Sequence, residues 1–248
     1  MRIAALYDIH GNFLALDAVL AEVSAAGVDH VVIGGDVVWG PHPGEVMDRL
    51  SDVELPVTFI RGNADREVCE GLPPDSDPQL VEITQWCAQQ LNEQRRGWFR
   101  GLPLSAAFDV PDLGETLFCH ATPRSDEEIV TAVTPETRLL EALSSVRETV
   151  IVCGHTHVQF DRATQGRRLI NPGSVGMPYE GRRGAYWALL GSGVQFRRSD
   201  YDVEEAARRM SASGCPHVEE VFIDHMLTPP DKDETIRHFE SLASTQSH

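Results

Sequence analysis

Five apolar runs, scattered between residues 3 and 157, each break off onto a side chain with a lone pair to offer. Ile3–Tyr7 leads into Asp8-Ile9-His10, His30–Gly34 into Gly35-Asp36, and Pro56–Ile60 into Arg61-Gly62-Asn63. Glu115–Cys119 leads into His120, and Val150–Cys153 into Gly154-His155-Thr156-His157. Asp and Asn are ordinary turn formers, so any one of these breaks has a local explanation. Five in a row do not. Strands of one parallel sheet send their carboxyl ends to one edge, where ligands collect, and the expectation is that these groups converge there.

The last run is the most informative. Val150–Cys153 is continuous, short and β-branched, which suits a strand covered on both faces. A neutral imidazole carries one lone pair and one N–H, so His155 and His157 each need partners. Taken alone, a His-x-His pair reads equally well as two solvated loop histidines or as metal ligands.

The alternation Ile3–Tyr7, Phe13–Gly27, His30–Gly34, Glu45–Leu50 and Pro56–Ile60 is strand–helix–strand–helix–strand, the pattern of a parallel sheet. The middle departs from it. Gly71–Pro78 reads as a loop, Gln79–Phe99 as one helix, and Leu104–Val110 with Glu115–Cys119 as a hairpin through Pro111-Asp112-Leu113-Gly114. Thr134 followed by Pro135 predicts a helix start running to about Val146. Strands are expected at Val158–Ala163, Arg167–Ile170, Ala185–Leu190 and Val194–Arg198, then a helix over Asp202–Met210 and one or two more beyond it.

A chain of 248 residues can bury a substantial core. It is read as a single domain over 1–248 with a helical C-terminal extension from about 202. The net charge of -17, with Lys232 the only lysine and no basic run, makes nucleic acid an unexpected partner. Cys69, Cys87, Cys119, Cys153 and Cys215 include no C-x-x-C, which argues against a disulfide framework or a zinc knuckle. No stretch reads as a membrane span or a secretory signal, so the protein is expected to be cytoplasmic. Oligomeric state is not readable.

Asp8-x-His10, Gly35-Asp36, Gly62-Asn63, His120 and Gly154-His155-Thr156-His157, with Asn171-Pro-Gly-Ser-Val175 behind them, resemble the calcineurin-like metallophosphoesterases. The likeness is to the small bacterial and archaeal phosphodiesterase-like branch and runs from Met1 to about Arg198. It implies an α/β fold, a four-layer α-β-β-α sandwich with the metals at one sheet's loop edge. It also implies two divalent ions bridged by Asp36, one held by Asp8, His10 and His157, the other by Asn63, His120 and His155. Such mixed carboxylate, amide and imidazole ligands suit Mn, Fe, Co, Ni or Zn, ~3.5–4 Å apart. The implied activity is hydrolysis of a small phosphodiester or phosphomonoester by a metal-bridging hydroxide. A phosphomonoesterase acting on proteins or small molecules, or a non-catalytic scaffold, is the alternative.

Many relatives carry a histidine after the Gly-Asn as a leaving-group acid; here Ala64 occupies that position. No catalytic acid is therefore assigned. His42 is a candidate proton donor, with a solvated loop histidine as the competing account. Substrate contacts are expected from Asn12, Asn63 and Arg124, although Asn12 could cap a helix and Arg124 could form a surface salt bridge. Ser174 could line the pocket, and Asp65 could orient a ligand. Tyr7 and Trp39 read as either core packing or a substrate platform.

Overall fold

The computed structural model describes residues 1–246. The chain opens as β1 (Ile3–Leu6), α1 (Phe13–Ala25), β2 (His30–Ile33), α2 (Pro43–Ser51) and β3 (Val57–Phe59). Three helices follow, α3 (Asn63–Glu70), α4 (Pro78–Gln90) and α5 (Glu93–Arg100). Then come β4 (Ser105–Val110), β5 (Gly114–Cys119), α6 (Glu136–Ala142), β6 (Val150–Val152), β7 (Phe160–Thr164), β8 (Arg167–Asn171), β9 (Ala185–Gly191) and β10 (Gly193–Ser199). The C-terminal part is α7 (Val203–Ser211), a π-helical turn (Glu219–Ile223) running into α8 (Asp224–Leu227), and α9 (Lys232–Gln246).

The strands form two five-stranded sheets, ordered β10-β9-β1-β2-β3 and β4-β5-β6-β8-β7. Parallel pairing holds the centre of each: β1 with β2 and β2 with β3 in the first, β5 with β6 and β6 with β8 in the second. Antiparallel strands flank them. Successive side chains on a strand point to opposite faces, and the cores separate accordingly. Ile3, Ala5 and Tyr7 meet Phe118, Val150, Val152 and Ile170 of the other sheet, together with Ala188 and Leu190. Ala4 and Leu6 face the other way, against Leu16 and Val19 of α1 and the C-terminal helices. On the far side, Leu117, Ile151 and Leu169 pack on Leu139 of α6 and on Leu143. Each large apolar side chain so buried contributes ~1.5–3 kcal/mol. The result is helix, sheet, sheet, helix: the expected four-layer sandwich.

The ligand-bearing strands do not share one sheet, as the sequence had suggested. β1, β2 and β3 lie in the first sheet, β5 and β6 in the second. Convergence comes from stacking the two sheets so that both carboxyl edges meet, and the Tyr7 hydroxyl donates to the Val152 carbonyl across the interface (3.2 Å).

Two local expectations also change, and one helix was not anticipated. The helix expected over Gln79–Phe99 is two, because Leu91 is extended and the Asn92 side chain accepts from Arg95 N (2.8 Å), capping a new start. Asn63–Glu70 is helical although its apolar content is low; the Asp65 carboxylate accepts from Gly62 N (3.3 Å) and secures the first turn. α6 stops at Ala142, and the Thr134 hydroxyl accepts from Thr131 N (2.8 Å) rather than capping it. Among the described residues, no helix is long and apolar enough to cross a membrane.

Candidate metal centre

The loops leaving the strands are held in a costly conformation. Among the described residues, eight non-glycine positions have positive φ, and Asp8, His10, Asp36, His155 and His157 are five of them. Each such residue costs ~1–3 kcal/mol and persists only where its surroundings over-determine it. They do so here. Asp8 N donates to Gly35 O (3.1 Å), His10 N to Asp36 O (2.9 Å) and Gly176 N to Asp8 O (3.0 Å). Ser174 Oγ donates to Asp8 O (2.7 Å), which spends Ser174 on the backbone rather than on a pocket wall. Glycine is required where the loops touch: a Cβ on Gly62 would stand 2.1 Å from Asp36 Oδ1.

Two clusters result. Asp8, His10 and His157 bring one ligand atom each within 4.8 Å of one another, and so do Asp36, His120 and His155. Asp36 touches both, with Oδ2 3.8 Å from His10 Nε2 and 3.4 Å from His120 Nε2. Asn63 Oδ1 joins the second cluster at 3.2 Å from His120 Nε2. Every residue expected to hold a metal is therefore in one place.

The proton arrangement calls for a cation. His10 Nδ1 donates to Trp39 O (3.1 Å) and His157 Nδ1 donates to Met177 O (2.6 Å). Each neutral ring has then used its only N–H, so the two Nε2 lone pairs face each other at 3.1 Å. His120 Nδ1 donates to Gly34 O (2.8 Å), which aims its Nε2 at the oxygens of Asn63 and Asp36. Asp8 Oδ1 is fully buried with no hydrogen-bond partner. Lone pairs pointed at lone pairs are repulsive unless positive charge lies between them, and the donor set fits borderline divalent ions.

Protons are poor substitutes at most of these atoms. Burial lowers the pKa of His10, takes that of His157 well down, and together with His120 takes that of His155 to about 4. His120 is the exception. Burial opposes its protonation, but Asp36 beside it, with Asp8 and the Gly34 carbonyl, carries its pKa up to about 10. Burial likewise opposes ionisation of Asp36, yet the surrounding imidazoles hold it below the usual carboxylate range.

The calcineurin-like phosphoesterase superfamily domain matches residues 1–191. The chain belongs to that superfamily. It is accordingly a metal-dependent phosphoric ester hydrolase. An uncharacterized protein of Methanocaldococcus jannaschii is 26% identical over 235 residues, 86% of this chain and 93% of that one. Phosphodiesterase YfcE of Escherichia coli is 27% identical over 200 residues, 76% of this chain and 87% of YfcE. A metallophosphoesterase structure from Sphaerobacter thermophilus matches with a TM-score of 0.72 at 25% identity, covering 89% of this chain and 98% of that one. A hypothetical protein of Pyrococcus horikoshii shares the fold, with a TM-score of 0.79 at 22% identity over 93% of this chain and 99% of its own.

The other residues singled out in this superfamily member have other work. Asn12 caps α1 through Oδ1 (Ala15 N, 3.1 Å), and its Nδ2 donates to Gly176 O and Tyr201 Oη (both 3.1 Å), so the capping reading replaces the substrate one. Arg124 takes the salt-bridge reading: Glu128 holds it at 2.9 and 2.6 Å and Glu141 at 3.5 Å. His42 is not a solvated loop residue, and its ring N–H is taken up by a backbone carbonyl. It is buried, with Nε2 on Arg209 O (3.2 Å) and its ring edge against Phe13. Tyr7 is core, and Trp39 packs on Phe222 with its indole N–H on Thr84 (3.0 Å). Asp65 does support the site, accepting from Val37 N (2.8 Å) and Val38 N (3.1 Å) directly after Asp36.

Two neighbours escaped the sequence reading. Glu67, one helical turn beyond Asn63, accepts from its Nδ2 (3.3 Å); burial, with the charge of Asp36, pushes its pKa to about 7 against that bond. The i, i+4 spacing from Asn63 was the available signal. Tyr179 stacks on the His157 ring, with centroids 4.7 Å apart and planes at 22°. No local pattern announces that contact.

Proposed function

We propose that the protein is a binuclear phosphoesterase that prefers small phosphodiesters to phosphomonoesters. The observation that carries this reading is the position of Asp36 Oδ2, within 3.8 Å of a ligand nitrogen in each cluster, as a bridging carboxylate requires. Asp8, His10 and His157 would hold one divalent ion, and Asn63, His120 and His155 the other, drawn from Mn, Fe, Co, Ni or Zn. When bound, such ions lower the pKa of a water and take up charge on the phosphoryl oxygens during in-line displacement.

The chain's own part is placement and burial. Asp65 fixes the loop after Asp36, and the left-handed backbone at five ligands aims them inward. Ala64 offers no side-chain proton; its backbone N–H donates to Asp36 Oδ1 (2.9 Å). The leaving group must depart without help from that position, which favours activated esters. The substrate is a small molecule rather than nucleic acid, consistent with the net charge of -17, and five free cysteines fit a reducing cytoplasm.

The test is turnover of bis(p-nitrophenyl) phosphate against p-nitrophenyl phosphate with added Mn. Faster diester turnover is expected. Faster monoester turnover would make the protein a phosphomonoesterase, and turnover of neither ester would overturn the diesterase reading.

A further inference from the structure

The superfamily match ends at residue 191, and the residues beyond it build most of a cavity beside the metal centre. It measures about 320 Å³ and is lined by Tyr179, His225, Glu234, Thr235, His238 and Phe239. Tyr179 stacks on His157, and the Phe239 ring lies 6.4 Å from that of His155. The cavity wall thus touches a member of each ligand cluster. Tyr179 stands 5.9 Å from His225 and 6.5 Å from Phe239, and His238 stands 6.1 Å from Phe239. Four rings surround one small space.

The wall is anchored at the first residue of α9 and again in its second half. Lys232 Nζ donates to Gln159 O (2.6 Å), two residues past His157. Glu240 accepts from Thr131 (2.7 Å) and Arg138 (2.6 Å), and also from Thr134. A wall held this way is pre-organised, so a ligand need not order it.

We propose that this cavity receives the base of a nucleoside whose phosphoester group sits at the metal centre. This rests on the phosphoesterase reading of that centre. The rings suit a planar group, since stacking on aromatic side chains accepts any base. The rim favours a nucleobase over a phenyl or alkyl group. His225 Nδ1 donates to Val221 O (2.9 Å), which leaves Nε2 as an acceptor. With Glu234 and the Thr235 hydroxyl it offers hydrogen bonds to the edge of a ring. A volume near the lower bound of ligand pockets, ~300 Å³, holds one nucleoside and no polymer.

The test compares thymidine 5′-(p-nitrophenyl) phosphate with methyl p-nitrophenyl phosphate under Mn. In both, a water oxygen bonds to phosphorus, the P–O bond to the nitrophenyl group breaks, nitrophenolate leaves, and the water's proton passes to solvent. Only the retained group differs. The nucleoside ester is expected to have the higher kcat/KM by roughly 5- to 150-fold, the range that base–aromatic stacking supplies. Phe239→Ala should bring that ratio towards one, and Phe239→Tyr should keep it. Thymidine without phosphate should also bind the metal-free protein, seen as saturation transfer to its ring protons and weakened by Phe239→Ala.

A ratio near one, a ratio indifferent to Phe239→Ala, or no binding of thymidine each overturns the proposal while leaving the phosphoesterase reading intact. If no ester is turned over with any divalent ion, that reading fails on its own account. Thymidine binding then decides the cavity alone.

Discussion

The Nε2 atoms of His10 and His157 stand 3.1 Å apart with no proton to share, because each ring spends its N–H on a backbone carbonyl. A cation turns this repulsion into two bonds. Adding Mn or Zn to chelator-treated protein should therefore raise Tm; at a hundredfold excess over Kd the gain is ~2.7 kcal/mol. His157→Ala and His120→Ala should each lower the bound metal by about one equivalent and activity by roughly a hundredfold or more, given that even outer-sphere partners are worth ~10–100-fold. Elemental analysis beside a thermal melt checks this, and an unchanged metal content in both variants would contradict it.

Asp65 never reaches the cluster atoms directly, yet it holds Val37 N, Val38 N and Gly62 N. Asp65→Asn turns one acceptor into a donor facing buried N–H groups. Metal affinity should fall ~10–100-fold, with the loss in Kd rather than in leaving-group dependence. Calorimetric metal titration measures it.

Ala64 leaves the leaving group unprotonated from that position. For aryl phosphodiesters, log kcat should fall steeply as leaving-group pKa rises. Ala64→His should flatten that slope and speed the poorest leaving groups, by at most ~10²–10⁴-fold. A flat dependence in the native enzyme, with chemistry limiting, would mean that another acid acts.

Arg124 is committed to Glu128 and Glu141, so Arg124→Ala should change KM for a small phosphoester by less than about twofold, against the ~1.5–3 kcal/mol expected from losing a bond to a charged group. The pair's contribution has a pH signature. Burial opposes ionisation of Glu128, but hydrogen bonds from Arg124 and Thr122 outweigh it and hold its pKa below the ordinary 4.5. A depressed carboxylate pKa stabilises the fold above the unfolded value and loses that contribution as pH falls through the folded one. The Tm difference between native protein and Glu128→Gln should be constant at neutral pH and shrink only below about pH 4.5. Melts from pH 3.5 to 8 test it.

Much of the site was legible before any coordinates because metal ligands are few in kind and strand ends are easily found. Asp8, His10, Asp36, Asn63, His120, His155 and His157 all reappear in the two clusters or against them. Asn12 and Arg124 were not decidable that way. A polar side chain near a site has several partners within reach, and only distances show that Ala15 N and Glu128 win.

Local chemistry alone determined the strands, their breaks and the ligand types, since periodicity and turn preference act within a few residues. Tertiary structure alone decided that the ligands arrive from two sheets rather than one, that the Asp36 carboxylate touches both clusters, and that Tyr179 and Phe239 wall a cavity beside them. Those are contacts between residues from 22 to 147 positions apart, set by how two sheets stack and where the last helix docks. Packing of that kind leaves no periodic trace in the chain, because it depends on the summed shape of all the faces at once.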